Sequence, residues 1–491
     1  MSSQSKSIAI EQLVDSIADL YEHSNSRLVY TETSYELIET LRENLKQVTT
    51  MLDERLVLGD MKNQFRVAIV EHRIYVWKYD DSSDKLIDGY SEERFYFGSK
   101  MNLERFVGRI FGQLDLDEAS ASMKHLNELI IQLRDNDSRI KAIRSTQLSV
   151  RGYDLKLCLD IIGFELNDIE GEISKLTGIN GQGAIKNPKF PDGAKLSELR
   201  VRLGAIINSD CHIRKDGMIT YYESSSERID IVETLMNGFG DITLHRGKRG
   251  GCYEVCFPRS IGRAFLIWEF TAGDKPLQNN RLSIHIRNAS IADVKVYFEE
   301  LIPEDGYFTP HAGFSWSRSV VLNPGNKREK YHIASLVGME EINLVRDYGD
   351  THWKERQLIG ISLTNLREMG GSEDEQIALA ANSLLMAIHA NPSALMNDEI
   401  KLLSRLKINA HPYPKDIVYS NRTGRFSVNW TTYVFKNEDK MRWALLCPPN
   451  DKVKREKVAE WVQDNQDLAI EVKEQLQSEG QRIVNWLDYC N

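Results

Sequence analysis

Two apolar segments with the same pattern, each ending in an aspartate, constrain the fold of this chain more than any other feature. They span 203–210 and 298–305, and each continues directly into a strand-like run. A carboxylate at the C-terminus of a helix is unfavourable, because the helix dipole repels negative charge there. Two such acids, Asp210 and Asp305, therefore suggest a duplicated unit whose helix ends meet at one acidic site.

Paired carboxylates are the smallest set of oxygen ligands for Mg²⁺, which completes its shell with water and phosphate. We therefore predict that Asp210 and Asp305 are both catalytic and metal-binding. His212, just after the first acid, either orients a water molecule or packs in the following strand. The alternative is that one or both segments are ordinary amphipathic helices that end in an aspartate.

Both segments resemble the LAGLIDADG motif of homing endonucleases, and the last Asp of that motif falls on Asp210 and on Asp305. The resemblance covers roughly residues 195–465, and the stretch 273–283 is similar to the linker before the second motif in archaeal members. The matching positions are Leu203, Ile207 and Asp210 in the first motif and Leu301, Ile302, Asp305 and Gly306 in the second.

The resemblance implies that the two helices pack at a pseudo-twofold axis and that their terminal acids hold divalent metal. It also implies that flanking four-stranded sheets form a saddle on DNA. Asn208 and Pro303 stand where the family often has Asp, and Cys211 replaces the motif Gly. Glu299 and Glu300 replace small residues, although close approach of two helices favours Gly or Ala at the contact.

Composition places the chain among globular proteins with several domains. It has 491 residues, of which 41% are hydrophobic and 27% charged. No apolar run is long enough for a membrane helix, and the polar N-terminus does not resemble a secretory signal. The six scattered cysteines indicate a reducing compartment, and we interpret Cys252 and Cys256 as buried thiols. These features predict a cytoplasmic protein with no membrane partner.

Charge is distributed unevenly along the chain. The net charge of −10 argues against a general polyanion binder. The stretch 245–288, however, has eight basic and three acidic residues, and it lies inside the proposed core. We expect it to contact phosphates, with a solvated basic hairpin as the alternative.

The predicted fold class is α+β, a duplicated αββαββα core of LAGLIDADG type with an additional α-rich N-terminal α+β region. Helical periods at 8–24 and 34–58 precede strand-like runs at 65–70 and 74–77. The predicted organisation is an N-terminal region (1–148), a helix-turn-helix-like linker unit (149–192), repeat one (193–290), repeat two with a mostly helical insertion (291–465) and a helical tail (466–491).

The linker unit is expected to contain helices at 155–162 and 168–176 joined by a glycine turn. This layout is typical of a DNA-reading helix-turn-helix. The second helix is acidic, however, which favours a structural lead-in as the alternative.

The predicted function is a double-stranded DNA endonuclease that depends on Mg²⁺ or Mn²⁺ and acts as a monomer, because both motifs lie in one chain. The alternative is a domesticated relative that binds DNA or RNA without cleaving it; a protein-interaction scaffold is a third possibility. The predicted DNA contacts are Arg214, Lys215, Arg246, Lys248, Arg249, Arg318, Arg422 and Arg425.

Overall fold

A computed structural model of the chain describes most residues from 164 onward. The described residues are 164–178, 184–214, 216–327, 335–346, 350–353 and 358–483, together with 29–32, 65–70, 73–78 and short stretches between 87 and 159. The chain divides into two units: Met1–Lys85 with Asp160–Phe164, and Leu86–Leu159 with Glu165–Asn491.

The first unit contains an antiparallel sheet of three strands. They are β1 (Val29–Glu32), β2 (Phe65–Val70) and β3 (Arg73–Lys78), in the order β1-β3-β2. The two strands predicted from apolar runs at 65–70 and 74–77 are therefore confirmed. The predicted helices at 8–24 and 34–58 lie outside the described residues.

The second unit begins with a four-stranded antiparallel sheet. Its strands are β4 (Arg94–Phe97), β5 (Ser149–Arg151), β6 (Ile173–Thr177) and β7 (Ile185–Lys186), in the order β5-β4-β6-β7. The helix expected over 168–176 does not form, because a short 3₁₀ helix, Leu166–Glu172, gives way to β6. Pairing of β6 with β4 overrides the local helical pattern, so the helix-turn-helix interpretation is not supported. The expected helix at 155–162 lies largely outside the described residues.

Repeat one has the predicted αββαββα order. Its elements are α1 (Gly193–Asn208), β8 (Cys211–Ile213), β9 (Ile219–Glu223), α2 (Ser226–Met236), β10 (His245–Arg249), β11 (Cys252–Cys256) and α3 (Arg259–Ile267). The strands form an antiparallel sheet in the order β10-β11-β9-β8. Cys252 is exposed and Cys256 half-buried, so the prediction of two buried thiols is wrong. Both lie on the sheet face opposite buried Val255.

Two short helices, α4 (Lys275–Gln278) and α5 (Ile284–Arg287), connect the repeats. Repeat two opens with α6 (Ile291–Asp305), β12 (Gly306–Thr309) and β13 (Gly313–Asn323). The insertion follows as α7 (Met339–Arg346), β14 (Asp350–Trp353), β15 (Leu358–Ser362), α8 (Leu363–Gly370), α9 (Glu375–Ala390) and α10 (Ala394–Arg405). The repeat closes with β16 (His411–Ser420), β17 (Arg425–Val434), α11 (Asn437–Leu446), α12 (Lys452–Asp464) and α13 (Gln466–Ser478).

Sheet topology shows the duplication directly. The second sheet has the order β12-β13-β17-β16-β15-β14. The four core strands are β8, β9, β10 and β11 in repeat one and β12, β13, β16 and β17 in repeat two. When each set is numbered along the chain, both sheets have the order first, second, fourth, third. The insertion is less helical than predicted, because it adds β14 and β15 beyond this common core.

Helices α1 and α6 lie side by side and run in the same direction. Near their N-terminal ends, the Ser197 hydroxyl donates to Asp293 at 2.9 Å. Further along, Arg202 donates to Glu300 at 2.7 Å. These residues advance together along both helices, so the C-terminal ends also meet. Gly204 permits close packing of α1 against α5, since a Cβ there would lie 2.7 Å from a side-chain atom of Ile286.

Among the helices that the structure describes, none has the length and apolar character needed to cross a membrane.

Candidate functional site

The two acids predicted from sequence come together where α1 and α6 end. Asp305 is the last residue of α6, and Asp210 follows Ser209, the C-cap of α1. Burial and then the negative charge of Asp305 raise the pKa of Asp210 to about 6. The site is therefore short of positive charge when both carboxylates are ionised.

Lys275 on α4 donates hydrogen bonds to the backbone carbonyls at the C-terminal end of α1. Its ammonium donates to the carbonyls of Ile207, Asn208 and Ser209 at 2.8, 2.8 and 2.7 Å. These are C-terminal carbonyls, which have no partner within the helix. Burial lowers the pKa of Lys275 to about 8, and its charge lies close enough to Asp210 to favour the ionised carboxylate. Sequence reasoning placed Lys275 in the basic stretch and in the linker before the second motif, but not at the acidic site.

Lys454 on α12 donates hydrogen bonds to the carbonyls at the C-terminal end of α6. Its ammonium donates to the carbonyls of Ile302, Pro303 and Gly306 at 2.7, 2.8 and 2.9 Å. Burial lowers its pKa. Sequence reasoning did not single out this lysine, because no local pattern links it to a helix that ends so far back in the chain.

Arg318 on β13 joins Asp305 to a buried acid. Its guanidinium donates to the Asp305 carboxylate and, at 2.7 Å, to Glu399 on α10. Glu399 also accepts from the Tyr297 hydroxyl at 2.9 Å and from the Trp316 indole at 2.7 Å. Both Arg318 and Glu399 are buried. This cluster holds the Asp305 side chain from the core side of the sheet.

The expected role of Arg318 in DNA contact is not compatible with this position. Side chains alternate between the two faces of a strand. On β13, Ser317 and Ser319 are exposed, whereas Trp316, Arg318 and Val320 are buried. We therefore remove Arg318 from the set of DNA contacts.

The glutamates expected to oppose helix contact are neutralised by arginines of repeat one. Glu300 is fully buried and accepts from Arg202 at 2.7 Å and from Arg228 at 2.8 Å. Glu299 forms an ion pair with Arg202 at 3.4 Å. Arg228 also donates to Glu304 at 2.6 Å. The two repeats are thus joined by an ionic network in place of small residues.

Arginines of the basic stretch are paired with acids of the same unit. The pairs are Arg246 with Asp230 and Glu233, Arg259 with Asp216, Arg263 with Glu93, and Arg281 with Asp398. Arg246 lies opposite buried Val255 in the sheet, so its side chain is on the helix-covered face. The stretch is consequently a poorer phosphate surface than its composition indicates.

The remaining predicted contacts differ in their surroundings. Arg214 is exposed and pairs with Asp216 at 3.1 Å. Arg425 is half-buried and pairs with Asp274 at 2.9 Å. Arg422 is exposed in the turn between β16 and β17. Arg214 and Arg422 are therefore the better placed of these three to contact phosphates.

The last three predicted contacts lie on or near strands of repeat one. Lys248 shares the face of Arg246, and its ammonium lies 5.4 Å from the centroid of the Tyr253 ring. Lys215 and the side chain of Arg249 lie outside the described residues, and they stay predictions.

Within the described residues, no group of three or more His, Cys, Asp or Glu side chains is placed to hold a metal ion. Asp210 and Asp305 still offer hard anionic oxygens in a place where burial penalises negative charge. That donor chemistry fits a divalent ion whose shell is completed by phosphate and water. It does not provide a closed site made of protein ligands alone.

Comparison with known proteins gives weak structural likeness alone. No family model matches the chain, and no curated protein matches it either. A solved structure described as "Structures and dynamics of mesophilic variants from the homing endonuclease I-DmoI" matches at 10% identity, over 51% of this chain and 94% of that chain. Its TM-score is 0.24, too low to support any conclusion about this protein.

Proposed function

We propose that the second unit binds double-stranded DNA and hydrolyses phosphodiester bonds, using a divalent cation held by Asp210 and Asp305. The observation that supports this proposal is the meeting of two acids at the ends of paired helices, one from each repeat. Both repeats lie in one chain, so we propose that a monomer is sufficient.

The divalent cation, when bound, would act as a Lewis acid and generate the attacking hydroxide. The protein's own residues hold the acids in place. Lys275 and Lys454 neutralise the carbonyl ends of α1 and α6, which are the sites least suited to carboxylates. Arg318 fixes the Asp305 side chain.

The proposed DNA surface is the face of each sheet that the helices do not cover. On repeat one this face includes exposed His212 and Tyr222, and Arg214 extends it. On repeat two it carries the exposed Ser317 and Ser319 hydroxyls of β13, and Ser319 donates to the Asn429 amide oxygen of β17. Such groups suit direct readout of bases. Arg214 and Arg425 are each paired with an aspartate, which favours few phosphate contacts and a shallow salt dependence.

Cleavage of plasmid DNA with Mg²⁺ or Mn²⁺ tests the proposal. Asp210→Asn and Asp305→Asn should each abolish cleavage, since loss of one shared ligand costs on the order of several kcal/mol of transition-state stabilisation. DNA binding should persist in both variants. Asp230→Asn, which changes an exposed carboxylate on α2, is the control and should cleave normally. Cleavage by the two site variants, or in excess chelator, contradicts the proposal.

The Arg318–Asp305 ion pair favours a second candidate, a protein that binds DNA or RNA without cleaving it. A guanidinium already neutralises Asp305, and among the described residues no group of three or more His, Cys, Asp or Glu side chains is placed to hold a metal ion. Calorimetric titration with Mn²⁺ distinguishes the candidates. Binding that is lost in Asp210→Asn supports the nuclease, whereas DNA binding with no Mn²⁺ uptake and no cleavage supports the second candidate.

A further inference from the structure

Three aromatic rings form a stacked ladder at one end of the six-stranded sheet. The rings of Tyr413 and Tyr433 are 5.0 Å apart with an interplanar angle of 13°, and those of Tyr433 and Phe435 are 5.2 Å apart at 10°. Tyr433 is buried between its neighbours, whereas Tyr413 is 36% exposed and Phe435 is 54% exposed. The ladder therefore presents ring surface to solvent at its two ends.

The ladder lies on the uncovered face of the sheet. On β17, Thr432 and Val434 are fully buried on the opposite face, so Tyr433 points away from the core. The Tyr307 hydroxyl donates to the Tyr433 hydroxyl at 3.1 Å. Tyr307 lies on β12, the strand that begins directly after Asp305, so the ladder contacts the strand that leads out of the acidic site.

The surroundings of the ladder are polar and include exposed cations. Lys415 and Lys436 are exposed and adjoin it in sequence. Burial raises the pKa of Tyr307, and the nearby ammonium of Lys415 opposes that increase. The charge of Asp416 also acts on Tyr433. A small flat apolar surface with hydroxyls and ammonium groups beside it matches one base with its phosphate, not a protein partner with a large apolar face.

We propose that this ladder binds an unpaired base of a DNA strand by stacking on an exposed ring. The inference rests on the proposed DNA-binding function and adds a site for unpaired bases beside the duplex surface. Base–aromatic stacking tolerates any sequence, because every base has a π-face. Rings already held parallel by their neighbours lose little freedom when a base is added, which favours binding.

The test compares a blunt DNA duplex with the same duplex carrying a single-stranded DNA extension that contains 2-aminopurine. The wild-type protein should bind the extended duplex more tightly and quench the 2-aminopurine fluorescence. Phe435→Leu and Tyr413→Leu keep apolar volume but remove the ring, so they should weaken binding of the extended duplex by about 5-fold or more. Binding of the blunt duplex should weaken by a smaller factor, so that the preference for the extended duplex is lost.

Two further variants make the outcome specific to the rings. Phe435→Trp retains a flat ring and should preserve the preference for the extended duplex. Leu379→Ala removes an exposed apolar side chain from α9 and should leave both affinities unchanged.

Equal affinity of the wild-type protein for both duplexes overturns the inference while leaving the proposed function intact. Absence of binding to either duplex overturns both. A preference that appears only when the extension is RNA overturns the assignment to DNA.

Discussion

Lys275 and Lys454 occupy equivalent positions in the two repeats. Each ammonium donates three hydrogen bonds to backbone carbonyls at the C-terminal end of one central helix. Neither lysine belongs to the helix that it caps, since they lie on α4 and α12. The duplicated arrangement places one ammonium at the carbonyl end of each central helix, which offsets the unfavourable helix dipole at that end.

Replacing either lysine with Met should destabilise the fold. Three C-terminal carbonyls lose a charged donor, so we expect the free energy of unfolding to fall by about 2–4 kcal/mol for each variant. Denaturant unfolding monitored by circular dichroism measures this. Lys452→Met, at an exposed position of α12, should have little effect. Equal stability of Lys275→Met and wild type would show that water replaces the lysine without penalty.

Asp210→Asn should stabilise the metal-free protein, and the gain should depend on pH. The folded-state pKa of Asp210 is raised from 3.8 to about 6, so its destabilising effect grows as the pH rises above about 4 and is complete above about 6. Asn removes the charge, and the gain should reach at most about 3 kcal/mol near neutral pH. It should vanish as the pH falls below about 4, where Asp210 is protonated in both the folded and the unfolded state.

Thermal unfolding of wild type and Asp210→Asn in chelator across this pH range measures the difference. Asp230→Asn, at an exposed ion pair, is the control. A pH-independent difference between the Asp210 variant and wild type would argue against the raised pKa.

Glu399→Gln should be strongly destabilising. It leaves the buried Arg318 with only part of its compensating charge, and breaking a buried ion pair costs about 3–5 kcal/mol. The double variant Glu399→Gln, Arg318→Met removes both charges and should recover part of this loss. Chemical denaturation of the two single variants and the double variant measures the coupling. Additive losses would mean that the two side chains do not depend on each other.

Arg422→Ala and Arg246→Ala should differ in their effect on DNA binding. Arg422 is exposed in the turn between β16 and β17, so its loss should lower the slope of log affinity against log salt by about one. Arg246 is held by Asp230 and Glu233, and its loss should leave the slope unchanged. Binding isotherms at several salt concentrations measure both slopes. A larger effect of Arg246→Ala would place DNA on the other face of the sheet.

Local patterns in the sequence determine the elements of the core and their order. Helical periodicity before Asp210 and Asp305, the turn at Gly217 and the hairpin around Gly424 each depend on residues close in the chain. The left-handed backbone at Gly217, with φ of 81°, shows why that turn is readable from sequence. Helical periodicity gave a wrong prediction of a helix at 168–176, because β6 forms there by pairing with β4, which is far away in sequence.

Tertiary structure alone decided which charged residues are available for function. Arg318 and Arg246 look like surface cations in sequence, but strand register turns one into the core and the other towards α2. The contact of Lys454 with Ile302 spans 152 residues, and the contact of Arg228 with Glu300 spans 72. Local hydrophobic periodicity in the sequence specifies which face of its own helix or strand a side chain occupies. The partner that neutralises its charge is set by packing between distant elements, which no local period encodes.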